Sequence, residues 1–511
     1  MLATAHTFSI LGIDALPVDI EVDINRGLPS VSIVGLPDSS VKESKERVRS
    51  GLKNSEFEYP SGKITINLAP ANIKKEGSAF DLAIAIGILA ASKQIDRQLL
   101  EDYFLIGELA LNGDIRPVKG ALSMALAMRR KKIKNLILPI DNANEAAVVK
   151  EIKVFGIKTL RELVSFLYDP SLIRPWAHTT FKYSQKDPNL QELDFADIKG
   201  QQATKRAMEI AACGMHNIIM VGPPGSGKTM LAKRLSTILP PLTEDEALES
   251  TRIHSSLGLT EARSGLISQR PFRMPHHTIS NAALVGGGTI PQPGEISLAH
   301  NGILFLDELP EFHRDILEAM RQPLEDGLIR VSRAAKSLVF PARFMLVCAM
   351  NPCPCGTQGQ QKHSCRCSPN QIHRYRSKIS GPLLDRIDIH IEVPAVKYQE
   401  LSDNTPAESS TLIKERVNKA RAIQGERFKK EGILSNAQMS HRQTRKYCAL
   451  GKEENELLKT AMNNFHLSAR AFDKILKVSR TIADLAGCEN LRTEHLAEAI
   501  QYRNLDREFF I

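Results

Sequence analysis

The run Gly222-Pro223-Pro224-Gly225-Ser226-Gly227-Lys228-Thr229 constrains this chain more than any other stretch. It fits G-x-x-x-x-G-K-[S/T], follows the apolar run NIIMV and opens MLAKRLSTIL, so it reads as strand, glycine-rich loop and helix. There the glycines let backbone N–H groups close around phosphates, at a helix N-terminus that already favours anions. Lys228 is expected to reach the β- and γ-phosphates of ATP, and Thr229 to ligate Mg2+. Buried strands with intervening helices continue to about Val393 (NGILFLDEL, ARFMLVCAM, IDIHIEV), the pattern of a parallel sheet.

The strand NGILFLDE ends in two acids. Beside a P-loop, Asp307 belongs in the Mg2+ shell and Glu308 is the base that polarises the attacking water. The strand ARFMLVCAM ends in Asn351, whose amide could orient that water. GPLLDRIDIHIEV puts Arg386 in a short charged turn, either free for a phosphate or ion-paired with Asp385 or Asp388. Hydrolysis of ATP is the natural reading.

At 511 residues the chain is too long for a single core. Residues 1–168 read as mixed α/β. VDIEVDI, VSIVG, KITINLAP and NLILP are strands, SAFDLAIAIGILAAS, GALSMALAMRRK and NANEAAVVK helices, and YFLIGELALNGDIRPV a hairpin turning at Asn112-Gly113. Residues 169–193 hold three prolines and the only tryptophan and read as a linker. Residues 194–395 form the P-loop core, and 396–511 a helical tail behind the polar KYQELSDNTPAESS. No apolar run approaches the roughly 18 residues of a membrane span. The start lacks a basic n-region and meets an acid by Asp14, so a cytoplasmic protein without membrane contact is expected.

A net charge of +9 favours a polyanionic partner, with a merely solvated basic surface as the alternative. RVSRAAKS reads as strand, turn, strand, with Arg330, Arg333 and Lys336 and no nearby acid, which suits contact with a phosphate backbone. KERVNKARAIQGERFKK and SHRQTRKYC add basic surface to the tail. Of the eight cysteines, Cys353, Cys355, Cys365 and Cys367 stand as two C-x-C pairs around a polar loop. Four thiolates can hold a tetrahedral Zn2+, with His363 as a spare ligand, and structural zinc is expected over four free thiols or a redox pair.

NGILFLDE, the Asn351 strand end, LLDRID and the later SARAFDKILKVSRTIADL together resemble AAA+ ATPases of the magnesium-chelatase and MCM branch, and the whole chain resembles the ComM (YifB) group of magnesium-chelatase-like proteins. The resemblance implies an α/β chain with an N-terminal Lon-protease-like α+β domain, a P-loop AAA+ αβα core and a C-terminal helical lid. It implies a homo-oligomeric ring, a hexamer, with ATP between subunits. Asn351 is then sensor 1, Arg386 the finger acting on a neighbour's ATP, and Arg470 the sensor 2 arginine. FRMPHHTISNAALVGGGTIPQPGEISLAHNG resembles the branch's helix-2 insert, and LEDGLIRVSRAAKSLVFPARF its hairpin before sensor 1.

KKEGSAFD lines up with the Lon protease motif K-D-G-P-S-A-G, so the nucleophile's place falls on Ala79. The place of Lon's catalytic lysine falls on Leu122, in GALSMA. A nucleophile needs a hydroxyl and a base, and neither matched position supplies one; Ser78 with Lys119 is the substitute pair, each out of register. The first domain is therefore expected to be proteolytically inactive. The resemblance points to a DNA motor, a helicase that promotes branch migration as incoming single-stranded DNA is integrated during natural transformation. The alternatives are a chelatase-type ATPase that remodels a protein partner for metal insertion, an ATP-dependent protease, and a non-enzymatic DNA clamp.

Overall fold

A computed structural model describes residues 2–179, 193–260, 265–288, 291–333, 336–358, 365–396, 400, 407–465, 467–503 and 505. His363 and most of the connection at 397–406 lie outside these residues. The chain forms two compact units, residues 1–183 with 244–268, and residues 184–243 with 269–511. The segment 244–268 therefore leaves the stretch that the sequence assigns to one core at 194–395.

The first unit is built on a seven-stranded sheet in the order Ser30–Val34, Lys63–Ala69, Asp14–Asn25, Leu2–Leu11, Tyr103–Leu105, Asn135–Pro139, Lys153–Ile157. The helix Asp81–Ala91 is apolar on every side after its first residue and every one of its residues is buried, as a helix without a polar face must be. It packs on the strands Leu2–Leu11 and Asp14–Asn25 and on the helix Ser39–Asn54, which the strand pattern of residues 1–60 does not reveal and which Asp38 caps through Val41 N–H. The hairpin expected at Asn112-Gly113 is present but short, Glu108–Leu109 against Ile115–Arg116. NANEAAVVK gives only a single helical turn, Ala143–Ala146. The first part of the expected linker lies on this unit, where Trp176 Nε1 donates to Asn144 at 2.8 Å and Trp176 N donates to Val154 O at 2.7 Å.

Asp81, at the mouth of that helix, is fully buried, and Arg47 donates to it from Nε at 2.6 Å and from Nη2 at 3.0 Å. Burial pushes the Asp81 carboxyl up while the Arg47 and Ser44 hydrogen bonds pull it down, with burial prevailing. The acid thus fastens one helix to another. Leu122 is fully buried in an apolar cluster that Ala79 packs against, together with Leu248 and Leu266 of the 244–268 segment. The Leu122 N–H donates to the Glu145 carboxylate, and Gly120 N–H to Ser255 O at 2.9 Å. Ser78 donates its hydroxyl to Glu108, while the stem of Lys119 runs along Gly258, so the substitute pair turns to separate partners.

The second unit carries a five-stranded sheet in the order Phe272–Arg273, Ile303–Leu306, Met345–Met350, Ile218–Val221, Ile389–Glu392, every pair parallel. Its interior is continuous with that of the C-terminal helices Ser410–Phe428, Ala469–Leu485 and Thr493–Gln501. Asp388 supports the junction: it is buried, 2.6 Å from Lys474 Nζ, and accepts from Asn217 N at 3.0 Å. Burial alone would raise its carboxyl, but Lys474 and His216 outweigh that and hold it well below the carboxylate range. The helix-2 insert comprises the edge strand Phe272–Arg273, the short helices Asn281–Val285 and Glu295–Leu298, and a ribbon of Gly286–Gly287 with Gln292–Pro293. The hairpin expected around RVSRAAKS pairs Leu328–Arg333 with Lys336–Pro341.

Arg47→Ala is expected to destabilise the first unit by about 3–5 kcal/mol, because it strands Asp81 as a buried unpaired charge. Removing both charges, with Arg47→Met and Asp81→Leu, is expected to cost much less. Urea unfolding followed by the fluorescence of Trp176 checks both.

Candidate nucleotide site

The loop Gly222–Lys228 leaves the sheet between two neighbouring strand ends. Gly222 N donates to Met350 O at 3.1 Å, and a Cβ on Gly222 would stand 2.2 Å from Val393 O, so only glycine lets the backbone pass. Gly227 then caps the helix Lys228–Ile238. Lys228 Nζ donates to Gly222 O at 2.7 Å, Pro223 O at 2.9 Å and Asn351 Oδ1 at 3.3 Å. Burial pulls its ammonium below the usual lysine range, and Asp307 and Glu308 push the other way.

Thr229 Oγ1 donates to Asp307 Oδ2 at 2.6 Å, so the two side chains assigned to Mg2+ stand side by side. A hydroxyl and a carboxylate oxygen at this spacing are hard donors of the kind Mg2+ takes alongside substrate phosphates. Glu308 follows in the left-handed region at φ 54°, an uncommon conformation for a non-glycine residue. Its carboxylate lies 3.6 Å from His277 Nδ1. Lys228, Thr229, Asp307, Glu308 and Asn351 line one cavity of about 420 Å³, with Pro224, Gly225 and Gly227 on its loop side. Ser226 is buried beneath the loop.

Arg386 and Arg470 do not line this cavity. Arg386 is 6 % exposed, and its guanidinium donates to Pro382 O and to Glu325, not to Asp385 or Asp388. Arg470 Nη2 lies 3.6 Å from the same Glu325 oxygen. Asp385 instead accepts from Ser468 at 3.3 Å. Neither the pairing with Asp385 nor the one with Asp388 forms; the partner of Arg386 is Glu325, 61 residues away in the chain.

All four cluster cysteines bring their sulfurs within 4.8 Å of one another. Cys353 Sγ lies 3.4 Å from Cys355 Sγ and 3.6 Å from Cys365 Sγ. Tetrahedral Zn–S bonds of about 2.3 Å put sulfurs roughly 3.8 Å apart, so the set fits a structural zinc. A hydrogen bond from Thr357 pulls the Cys355 thiol down to about 5, while burial and the neighbouring sulfurs push the Cys365 and Cys367 thiols up. The turn before the second pair lies on the P-loop: a Cβ on Gly356 would stand 2.4 Å from Pro224 Cδ, and its φ of +77° suits glycine alone.

In the hairpin, the backbone of Arg333 stands opposite Lys336 and that of Arg330 opposite Val339; Arg330 is exposed, and the side chains of Arg333 and Lys336 lie outside the described residues. Sequence inspection missed His277, Glu325 and Gly356. HHT inside the insert, LEDG before the hairpin and the glycine after the second cysteine were visible, but nothing local marks whom they meet.

Glu308→Gln is expected to lower kcat for ATP roughly a hundred- to ten-thousandfold while a fluorescent ATP analogue still binds. Lys228→Ala is expected to lose that binding, and His277→Ala to lower kcat by less than Glu308→Gln with KM unchanged. Steady-state rates and equilibrium titration separate the three.

Family models match most of the chain in three pieces. Magnesium chelatase subunit ChlI covers residues 194–401, subunit ChlI of Mg-chelatase 20–142, and the ChlI C-terminal region 407–503. Competence protein ComM of Haemophilus influenzae is 47% identical over 508 residues, 99% of this chain and 98% of that one. YifB of Escherichia coli is 45% identical over 508 residues with the same coverage. Lon protease 2 of Bacillus subtilis is 34% identical over 150 residues, 27% of this chain and 26% of that one.

Proposed function

The chain belongs to the ComM/YifB family of magnesium-chelatase-like proteins, and from that premise we propose that it is an ATP-driven ring motor on DNA. AAA+ proteins of this kind are ATPases that use Mg2+. Lys228 and the loop of Gly222, Pro223, Pro224, Gly225, Ser226 and Gly227 hold the phosphates, Thr229 and Asp307 hold Mg2+, Glu308 activates water and Asn351 positions it. Arg386 and Arg470 act on the γ-phosphate bound by a neighbouring copy in a hexamer. Arg330, Arg333 and Lys336 contact the backbone of single-stranded or branched DNA, and Cys353, Cys355, Cys365 and Cys367 hold a structural zinc.

One observation carries this reading: within the second unit, the Thr229–Asp307 pair of an ATP site and a hairpin edged by cations belong to one compact body. Hydrolysis can therefore move the hairpin. The competence protein among the relatives favours a helicase that promotes branch migration of incoming strands in natural transformation, in the cytoplasm. No described helix is long and apolar enough to cross a membrane. A chelatase-type ATPase acting on a protein partner is the second reading, favoured by the family models themselves. Proteolysis has no support at Ala79 and Leu122.

The ATPase rate is expected to rise with single-stranded DNA and to lose that rise as salt increases. Arg330→Ala, Arg333→Ala and Lys336→Ala are each expected to weaken DNA binding and flatten its log–log salt slope by about one. A rate indifferent to DNA at every salt concentration would sink the motor reading and leave the chelatase-type one.

Metal analysis of protein purified without chelator is expected to find about one zinc per chain, lost in Cys353→Ser. Because Gly356 leans on Pro224, zinc removal is also expected to raise KM for ATP.

A further inference from the structure

Glu325 stands in the last turn of the helix Arg321–Asp326, and after Gly327 the first hairpin strand, Leu328–Arg333, begins. The hairpin's return strand is tied to the same spot, since Ala342 N donates to Gly327 O at 2.8 Å. The helix end and the hairpin base therefore move as one piece. On this piece a single half-exposed carboxylate collects both Arg386 and Arg470.

The arrangement is uneven. Arg386 is buried, yet its Nε has no hydrogen-bond partner, while Nη1 and Nη2 are used on Pro382 O and Glu325. Arg470 stays at 3.6 Å from Glu325 and is half exposed. Two guanidiniums around one planar carboxylate, with one buried donor left over, offer more donors than the acid can take. A tetrahedral phosphate, with its oxygens on several sides and higher charge, suits two such forks better than one carboxylate does.

We propose that Glu325 is a positioning residue that latches Arg386 and Arg470 together and yields them to the γ-phosphate on a neighbouring copy when DNA displaces the hairpin. This rests on the reading that those arginines serve a neighbour's nucleotide. The γ-phosphate and Glu325 then compete for the same donors. The carboxylate holds the pair while the hairpin is at rest, and moving the hairpin carries it away from them. Arg321, the other cation close to Arg386, is paired to Glu318 at 2.7 Å and leaves Glu325 to the latch.

The test measures kcat and KM for ATP on the full, assembled chain, with and without a single-stranded oligonucleotide, for wild type, Glu325→Gln and Glu325→Asp. Glu325→Gln keeps the shape and removes the charge. Its DNA-free kcat is expected to rise roughly three- to tenfold, the factor that one partly exposed charged hydrogen bond is worth. Its stimulation by DNA is expected to shrink correspondingly, and KM is expected not to rise, because Glu325 is outside the Lys228 cavity and its loss only frees donors for the γ-phosphate. Glu325→Asp, which retains the charge, is expected to stay closer to wild type. A DNA-free rate unchanged or lowered in Glu325→Gln overturns the latch, as does Glu325→Asp behaving like Glu325→Gln. If wild type is stimulated by DNA and Glu325→Gln keeps the same ratio, the latch falls and the DNA motor stands. If wild type ignores DNA but Glu325→Gln is faster, the hold of Glu325 on the two arginines stands, and its release by DNA falls together with the DNA reading.

Discussion

The second unit depends on the parallel pairing of Ile218–Val221 between Met345–Met350 and Ile389–Glu392. Pairing Val221 with Met350 starts the P-loop beside Asn351, and the next strand over delivers Asp307 within 2.6 Å of Thr229. A parallel sheet puts the C-terminal ends of all its strands on one edge, so residues from three distant stretches meet there without a long loop. These strands are buried on both faces, so a one-residue shift of register would leave them apolar inside and out, but it would carry the strand end at Val221 away from Met350 and the P-loop away from Asn351.

Buried charge works as a fastener in both units. Arg47 on Asp81 joins one helix to another that is apolar beyond its first residue, and Lys474 on Asp388 joins the C-terminal helices to the sheet. Each carboxylate also accepts a backbone N–H, from Leu109 and Asn217 respectively, so each is met on more than one side. Such pairs add little net stability over apolar residues of the same shape, but breaking one half is costly, which makes them specific. At the position that opens the helix Asp81–Ala91, this accounts for a buried acid at the head of an otherwise apolar helix. The neighbouring Lon-like positions have been filled by apolar packing around Leu122.

Much of the site was legible because its elements are short and contiguous. The P-loop, the Asp307-Glu308 strand end and the two C-x-C pairs are each written within a few residues, and local backbone geometry decides what they do. Helix Asp81–Ala91 and the parallel strands were legible for a similar reason, since an apolar run with no polar face admits few environments. The helix Ser39–Asn54 was not, because its apolar positions are sparse among charged residues, with only Val41, Ser44, Val48, Gly51 and Leu52 buried. NANEAAVVK overstated its helix because small apolar residues suit a buried turn as well as a longer helix.

By itself the sequence determined the α/β class, the nucleotide-binding loop with its acids, and the clustering of four cysteines, since each depends on residues close in the chain. Tertiary structure alone decided that residues 244–268 pack with the first unit, that Gly356 rests on Pro224, that His277 faces Glu308, and that Glu325 gathers Arg386 with Arg470. These contacts join positions tens to more than a hundred residues apart. Any of several acids near Arg386 satisfies the same charge rule in one dimension. Only the order of the strands and the path of the connecting chain select which of them arrives.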